Sequence, residues 1–264
     1  MKLLIFADVH YYGGDMETAI FSKTKKLVQY ALPLLDALAD RMSREYHPDL
    51  CVNLGDIIQD TQSHDGDVQA LAFMGERLKS FASPCRSLLG NHDMKMMQSR
   101  REAEALLGQD SATYSVDRDG MHLVFLTTGF WPERGPERGG IIRSHEVTAE
   151  ELAWLKADLA KNDLPCILFT HYPLAEDPSV SDECMFLKNR AEVKEILRHD
   201  ANIRAVFSGH QHRTKILMED GIPYYVLGSL TGCPAENGIP DGVYFEVETD
   251  GTDVHVCEKH LHIG

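Results

Sequence analysis

Five short apolar runs, Lys2–Phe6, Leu50–Leu54, Cys85–Leu89, Cys166–Phe169 and Ile203–Phe207, each break off into a polar turn. Their length and their Leu, Ile, Val and Phe content predict buried strands. Elsewhere the spacing is helical. Asp15–Glu45 reads as helix, with Pro33 marking a kink or a break. Leu71, Phe73, Met74 and Leu78 give one apolar face to a helix over Val68–Phe81, and Gln98–Leu107 forms another, stopped by Gly108. Thr148-Ala149-Glu150-Glu151 is a capping signature for a helix running to Lys161, and Asn189–Arg198 is a further helix. Thr113–Val116 and Met121–Leu126 read as strands joined by the turn Asp117–Gly120. After His212 the pattern holds strands only: Thr214–Met218, Tyr224–Leu227, Val243–Glu248 and Val254–Glu258, with turns at Glu219-Asp220-Gly221 and Asp250-Gly251. Alternating strands and helices predict an α/β fold, with two packed mixed β-sheets flanked by helices. At 264 residues one domain over 1–264 is expected, its motifs ending near 212 and an all-strand part following from about 213. Phe130–Ser144 and Ala175–Lys188 are Pro- or charge-rich and long enough to act as lids.

The turns after the five runs carry the chemistry. They read Asp8-Val9-His10, Gly55-Asp56, Gly90-Asn91-His92-Asp93, Thr170-His171 and Gly209-His210-Gln211-His212. Parallel strands in one sheet would bring all five carboxyl ends to the same edge, where open α/β sheets keep their ligands. Asp8, His10, Asp56, Asn91, His92, His171, His210 and His212 would then converge in one crevice. Each piece alone is weak, and the chain supplies its own decoys in Asp253-Val254-His255 and His260-Leu261-His262. Neither decoy follows a buried strand into a Gly-rich turn, so both read as structural or exposed. His64, His122, His145 and His199 read likewise.

Charge and cysteine usage narrow the partners. A net charge of −15 disfavours non-specific attraction to nucleic acid duplex or to anionic membrane. It leaves small anionic substrates open, because bound cations invert the local field. A hydrophobic content of 43% with 25% charged residues is that of an ordinary soluble globule. The six Cys are scattered without a Cys-x-x-Cys, and Cys51, Cys85 and Cys166 fall in or beside core strands. They read as reduced, packed residues, which predicts a cytoplasmic protein. The run Leu3–Ala7 is too short for a signal peptide, and no apolar run approaches membrane-spanning length. A homo-oligomer is left open.

In this order, Asp-x-His, Gly-Asp, Gly-Asn-His-Asp, Thr-His-Tyr-Pro and Gly-His-x-His, the motifs resemble the calcineurin-like metallophosphoesterase superfamily. The resemblance spans Met1 to about His212 and is nearest to the compact phosphodiesterase-type members. Gly139-Gly140-Ile141 through Glu151-Leu152-Ala153-Trp154-Leu155 is similar to a segment those members carry before the Thr-His strand. The resemblance implies a four-layer α/β/β/α sandwich and a two-metal centre. Asp56 would bridge the ions, with Asp8, His10 and His212 completing one shell and Asn91, His171 and His210 the other. Imidazole, carboxylate and amide oxygen suit Mn, Fe, Co or Zn. Two such ions clamp the attacking and leaving oxygens at phosphorus and lower the pKa of a bridging water, the expected nucleophile. His92 takes the role of general acid or charge stabiliser, with Asp60 or Asp93 to orient it. Substrate contacts are expected from Asn91, Tyr11, Tyr12 and Trp131, with Phe130 beside it; Arg134, Arg138 and Arg143 are weaker candidates for a phosphate contact.

The expected activity is hydrolysis of a phosphodiester or pyrophosphate bond in a small nucleotide or related phosphoester. A departure from the protein phosphatases supports this. Their Gly-Asp motif continues into an Asp-Arg pair that helps hold phosphate, whereas here Gly55-Asp56-Ile57-Ile58-Gln59-Asp60 runs on to Thr61. A phosphomonoesterase is the nearest alternative. An exonuclease is disfavoured by the acidity, and a non-catalytic scaffold by the retention of every ligand position.

Overall fold

The computed structural model describes residues 1–128, 145–199 and 202–262. Phe130, Trp131, Arg134, Arg138 and Arg143, the Gly139-Gly140-Ile141 start of the pre-Thr-His segment and the Phe130–Ser144 stretch as a candidate lid lie outside the described residues. In chain order the strands are β1 (Lys2–Phe6), β2 (Leu50–Asn53), β3 (Cys85–Ser87), β4 (Tyr114–Arg118), β5 (Met121–Phe125), β6 (Cys166–Phe169), β7 (Ile203–Ser208), β8 (Lys215–Glu219), β9 (Ile222–Val226), β10 (Val243–Thr249) and β11 (Val254–His260). The α-helices are α1 (Ala31–Arg41), α2 (His64–Lys79), α3 (Asn91–Met94), α4 (Arg100–Leu106), α5 (Ala149–Leu159) and α6 (Arg190–Arg198).

Two mixed sheets form. One has the order β11-β10-β1-β2-β3, the other β4-β5-β6-β7-β9-β8. Within them β1, β2 and β3 run parallel, as do β5, β6, β7 and β9. The five motif strands are therefore divided between two sheets, three in the first and two in the second, and not gathered in one. The alternation along each strand explains why. Leu3 and Ile5 face the other sheet and pack with Val52, Phe125, Phe169 and Phe207. Leu4 and Phe6 face outward into a second cluster with Leu34, Leu38, Leu71 and Met74 of α1 and α2. Leu168 and Val206 face outward on the second sheet, under α5 and α6 with Leu155, Val193 and Leu197. Strands apolar on both faces need cover on both sides, and the helix–sheet–sheet–helix stack supplies it.

One element departs from the sequence pattern. Residues 15–27 are not α-helical, and α1 starts only at Ala31 after a short 3-10 turn. The backbone of this stretch is bonded elsewhere: Leu27 donates to the Thr231 carbonyl at 2.9 Å, and Cys233 donates to that of Lys25 at 2.8 Å. Pro33 lies in the first turn of α1, where its missing N–H would lack a helical partner in any case.

Candidate metal centre

The motif turns meet because the strand ends are stitched to one another. Within the first sheet Asp8 donates through its backbone to the Gly55 carbonyl and His10 to that of Asp56, both at 3.0 Å. In the second, Gly209 donates to the His171 carbonyl at 3.0 Å. Contacts also cross between sheets, among them His171 Nδ1 to the Leu54 carbonyl at 2.9 Å, and the His210 backbone N–H to Asp8 Oδ2 at 3.0 Å. The turns close so tightly that two glycines are required. A Cβ on Gly90 would lie 2.1 Å from Asp56 Oδ1, and Gly55 has φ 107° with His171 Nδ1 2.8 Å from where a Cβ would stand. Asp8, His10, Asp56, His210 and His212 all adopt left-handed φ, between 50° and 71°. Such backbone is uncommon for these residue types and persists only where the surroundings fix it.

The side chains form overlapping groups. Asp8, His10 and His212 lie together, as do Asp56, His171 and His210, with ligand atoms in each group within 4.8 Å of one another. In the first, His10 Nε2 and His212 Nε2 are 2.9 Å apart, and Asp8 Oδ1 is 3.2 Å from His212 Nε2 and 3.7 Å from His10 Nε2. Asp56 Oδ2 lies between the groups, 3.9 Å from His10 Nε2 and 3.6 Å from His171 Nε2. Asn91 Oδ1 is 3.4 Å from His171 Nε2. Donors bound about 2.1 Å from one ion stand roughly 3.0–3.4 Å from each other, so the spacing fits metal. A buried orphan supports the fit: Asp8 Oδ1 has no hydrogen-bond partner. In two of the rings the second imidazole nitrogen is occupied in a way that frees the first. His171 Nδ1 faces the Leu54 carbonyl, and His210 Nε2 faces that of Cys184 at 3.2 Å, leaving its Nδ1 for the site.

Electrostatics agree with lone pairs presented inward. Burial, then Lys26 and His212, push His10 well below the usual imidazole range; burial and His171 do the same for His210. Both rings are thus neutral near pH 7. Burial alone would raise the Asp8 carboxyl, but His212, His171 and His210 outweigh it and hold it at about 2.

His92 stands apart. Its Nε2 is 4.0 Å from Asp56 Oδ2, close enough to form a third group with His10 and Asp56, yet both its nitrogens have other partners. Nδ1 is 2.6 Å from Asp60 Oδ2, and Nε2 is 3.0 Å from Lys26 Nζ. Of the two carboxylates considered for orienting it, Asp60 meets the ring. Asp93 instead accepts backbone N–H groups of Gly90, Asp56 and Ile58 at 2.9, 2.8 and 3.1 Å, tying two motif turns together.

Tyr11 packs on Phe73 of α2, ring centroids 5.1 Å apart, and Tyr12 packs edge-on against Phe21. Neither is among the residues lining the cavity of about 450 Å³ over the site, which include Asp56, Asn91, His92, His210, His212, Met185 and Lys26. The Ala175–Lys188 segment reaches the cavity rim through Met185. The decoy residues His255, His260 and His262 are exposed and belong to none of these groups. Lys26 is the residue at the site that the sequence pattern hid. Its only signal was the Lys23-Thr24-Lys25-Lys26 cluster in an acidic chain.

A family profile for calcineurin-like phosphoesterases matches residues 1–214. A probable cyclic nucleotide phosphodiesterase of Fibrobacter succinogenes is 28% identical over 179 residues, 67% of this chain and 62% of that protein. The chain thus spans less than two thirds of that relative's length. The 3',5'-cyclic adenosine monophosphate phosphodiesterase CpdA of Escherichia coli K12 is 24% identical over 217 residues, 81% of this chain and 70% of the relative. Among solved structures, a dimetal phosphatase from Danio rerio superposes with a TM-score of 0.71 at 18% identity, covering 97% of this chain and 98% of the other. At that identity the likeness is one of fold.

Proposed function

The chain belongs to the calcineurin-like phosphoesterase family, and on that premise we propose that it hydrolyses a phosphodiester or diphosphate bond in a small nucleotide or related ester, at a two-metal centre. The observation that carries this reading is Asp56, a carboxylate standing between two ligand groups beside a cavity that His92 enters. In it, Asp8, His10, Asp56 and His212 would hold one ion, and Asp56, Asn91, His171 and His210 the other. The nitrogen and oxygen donors, with no thiolate among them, favour Mn, Fe or Zn. The ions, when bound, supply Lewis acidity at the phosphoryl oxygens and activate water for attack.

The chain's own residues supply the rest. Burial would raise Asp60, but its bond to His92, and then Lys95, hold it below the usual carboxylate range. The ionised Asp60 fixes the ring through Nδ1, with Nε2 turned to the cavity. His92 is then placed to give a proton to the leaving oxygen, or to stabilise charge on the phosphoryl group. Asn91, which shares the turn with His92, contributes its amide to the substrate phosphate as well as to metal. No helix among the described residues is long and apolar enough to cross a membrane, and we retain a cytoplasmic location from the free thiols of Cys51 and Cys85 in the core strands.

The relatives named as cyclic nucleotide phosphodiesterases favour a diester over a monoester. So does the loop after Asp56, where Gln59 and Thr61 stand without an arginine. The test compares kcat/KM for bis-nitrophenyl phosphate, nitrophenyl phosphate, a cyclic nucleotide and a nucleotide diphosphate ester, with one metal at one pH. The diester or diphosphate should lead. A tenfold or larger advantage for the monoester, about 1.4 kcal/mol at the transition state, would overturn the proposal in favour of a phosphatase.

A further inference from the structure

Lys26 is half-buried on the wall of the cavity, and its ammonium meets two partners that are not carboxylates: His92 Nε2 and Gln59 Oε1, both at 3.0 Å. No carboxylate among the described residues pairs with it within ion-pair distance. It does not hang from a free loop. The backbones of Lys25 and Leu27, on either side, are bonded to Cys233 and Thr231 at 2.8 and 2.9 Å. Burial lowers its pKa, and Asp56, Asp8 and Asp60 partly offset that. A half-buried ammonium without an anion carries a desolvation cost. Something that enters the cavity can remove it.

The surroundings say what. The chain has a net charge of −15, yet among the described residues the cavity is lined by Lys25, Lys26 and Arg213 against the single carboxylate of Asp56. Lys25 is spent on Glu236 at 3.3 Å, whereas Arg213 has no ion pair among the described residues. Two metal ions bound at that centre would already answer the charge of one scissile phosphoryl group. Two further uncommitted cations in the same cavity exceed what that group needs. Lys26 is also on a defined side of it. It touches Nε2 of His92, the atom expected to meet the leaving oxygen.

We propose that Lys26 is a specificity-determining substrate contact, which leaves His92 and takes an anionic phosphate carried by the leaving group, so that the site favours diphosphate esters over cyclic nucleotides. In a cyclic nucleotide the one phosphate is the scissile one, so Lys26 gains no partner from it. In a diphosphate ester the leaving group is itself a phosphate, and Arg213 lies at the cavity rim to share it. The inference rests on the phosphoesterase reading above.

The experiment uses the Mn-loaded full chain as wild type, Lys26→Met, Lys26→Arg, His92→Ala and the Lys26→Met/His92→Ala double variant. Lys26→Met should shift the ratio of kcat/KM for a nucleoside diphosphate ester against a 3',5'-cyclic nucleotide roughly thirtyfold toward the cyclic substrate, the scale of one lost charge-assisted bond. Lys26→Arg should restore most of the ratio. The shift should persist in the His92→Ala background. Equal losses on both substrates, or a shift that vanishes once His92 is gone, would overturn the proposal and leave Lys26 as a support for the His92 ring. Binding gives an independent reading by calorimetry with AMP and ADP. Wild type should hold ADP about tenfold or more tighter than AMP, and Lys26→Met should lose that margin with metal content unchanged. If wild type binds both nucleotides and cleaves esters while Lys26→Met keeps the margin, the Lys26 contact fails alone. If wild type binds neither and cleaves no ester, the phosphoesterase reading fails and takes the inference with it.

Discussion

Asp60 lies four residues after Asp56 and Asp93 directly after His92, and only folding separates their tasks. Asp60 meets an imidazole; Asp93 meets three backbone N–H groups. Burial and the neighbouring Asp56 push the Asp93 carboxyl well above its ordinary range, and the three donors work against that. A sequence shows both as an acid near a glycine turn, so it left the pair undivided. The site positions were legible for a different reason: their glycines, histidines and carboxylates follow strands in a fixed order. Lys26 was not, because a lysine among lysines reads as solvated surface until a neighbouring segment pins it. His92, held by Asp60 and not needed as a ligand, gives the prediction at this scale. His92→Ala should retain metal content while kcat falls by roughly a hundredfold, the size of a lost general acid. The defect should shrink for nitrophenyl leaving groups, which need no proton. An equal defect on nitrophenyl and alkyl esters would rule out proton donation and leave charge stabilisation.

Elements were legible wherever local pattern and tertiary need agree. The strands β1, β6 and β7 match their apolar runs closely because both faces are buried. Across the second sheet Tyr114, Phe125, Phe169, Phe207 and Tyr225 stand in register, neighbouring rings 4.7–5.7 Å apart, directly before the turns that carry His171 and His210. That layer gives the second sheet a rigid edge on which to hold its ligands. The stretch before α1 went the other way. Its helical spacing lost to backbone bonds with residues 231–233, an outcome that no local window contains. At α5 the capping signature is realised in full: Thr148 accepts from the Glu151 N–H at 3.2 Å, and Glu151 accepts from that of Thr148 at 3.0 Å. Glu151 also receives Arg100 of α4 at 2.5 Å, so the cap joins two helices. Thr148→Ala should therefore cost about 1 kcal/mol, near 2–4 °C in Tm for a chain of this size. Metal content and kcat should not change. A Tm equal to wild type would mean that Arg100 alone secures the helix start.

At the scale of the molecule, the sequence predicted two sheets but gathered the five motif strands in one of them, since strand pairing is set by contacts far apart in the chain. The consequence is a centre shared between sheets, closed from below by the C-terminal part: Ser229 Oγ donates to the Asp8 carbonyl at 2.7 Å and Thr231 Oγ1 to that of Val9 at 3.0 Å. Anything that draws the ligands together therefore stabilises the packing of one sheet on the other. Ions that bind only the native chain add RT ln(1 + [M]/Kd), about 2.7 kcal/mol at a hundredfold excess over Kd. Removing them by chelation at pH 7.5 should lower Tm by roughly 5–10 °C. The chelated protein should then show a pH dependence of known sign. His10 and His210 stay neutral in the native state because burial holds their pKa values well down. In the unfolded chain they take up protons near pH 6.5. Below that pH the unfolded state binds more protons than the native one, so stability falls as the pH drops and keeps falling until the native pKa values are reached. Thermal melts of chelated protein between pH 7.5 and 5.5 should show this decline, and His10→Asn should flatten it by removing one of the two proton-linked groups. Equal Tm values with and without Mn at pH 7.5 would remove the metal centre from the account of stability. A slope untouched by His10→Asn would assign the pH dependence to another group.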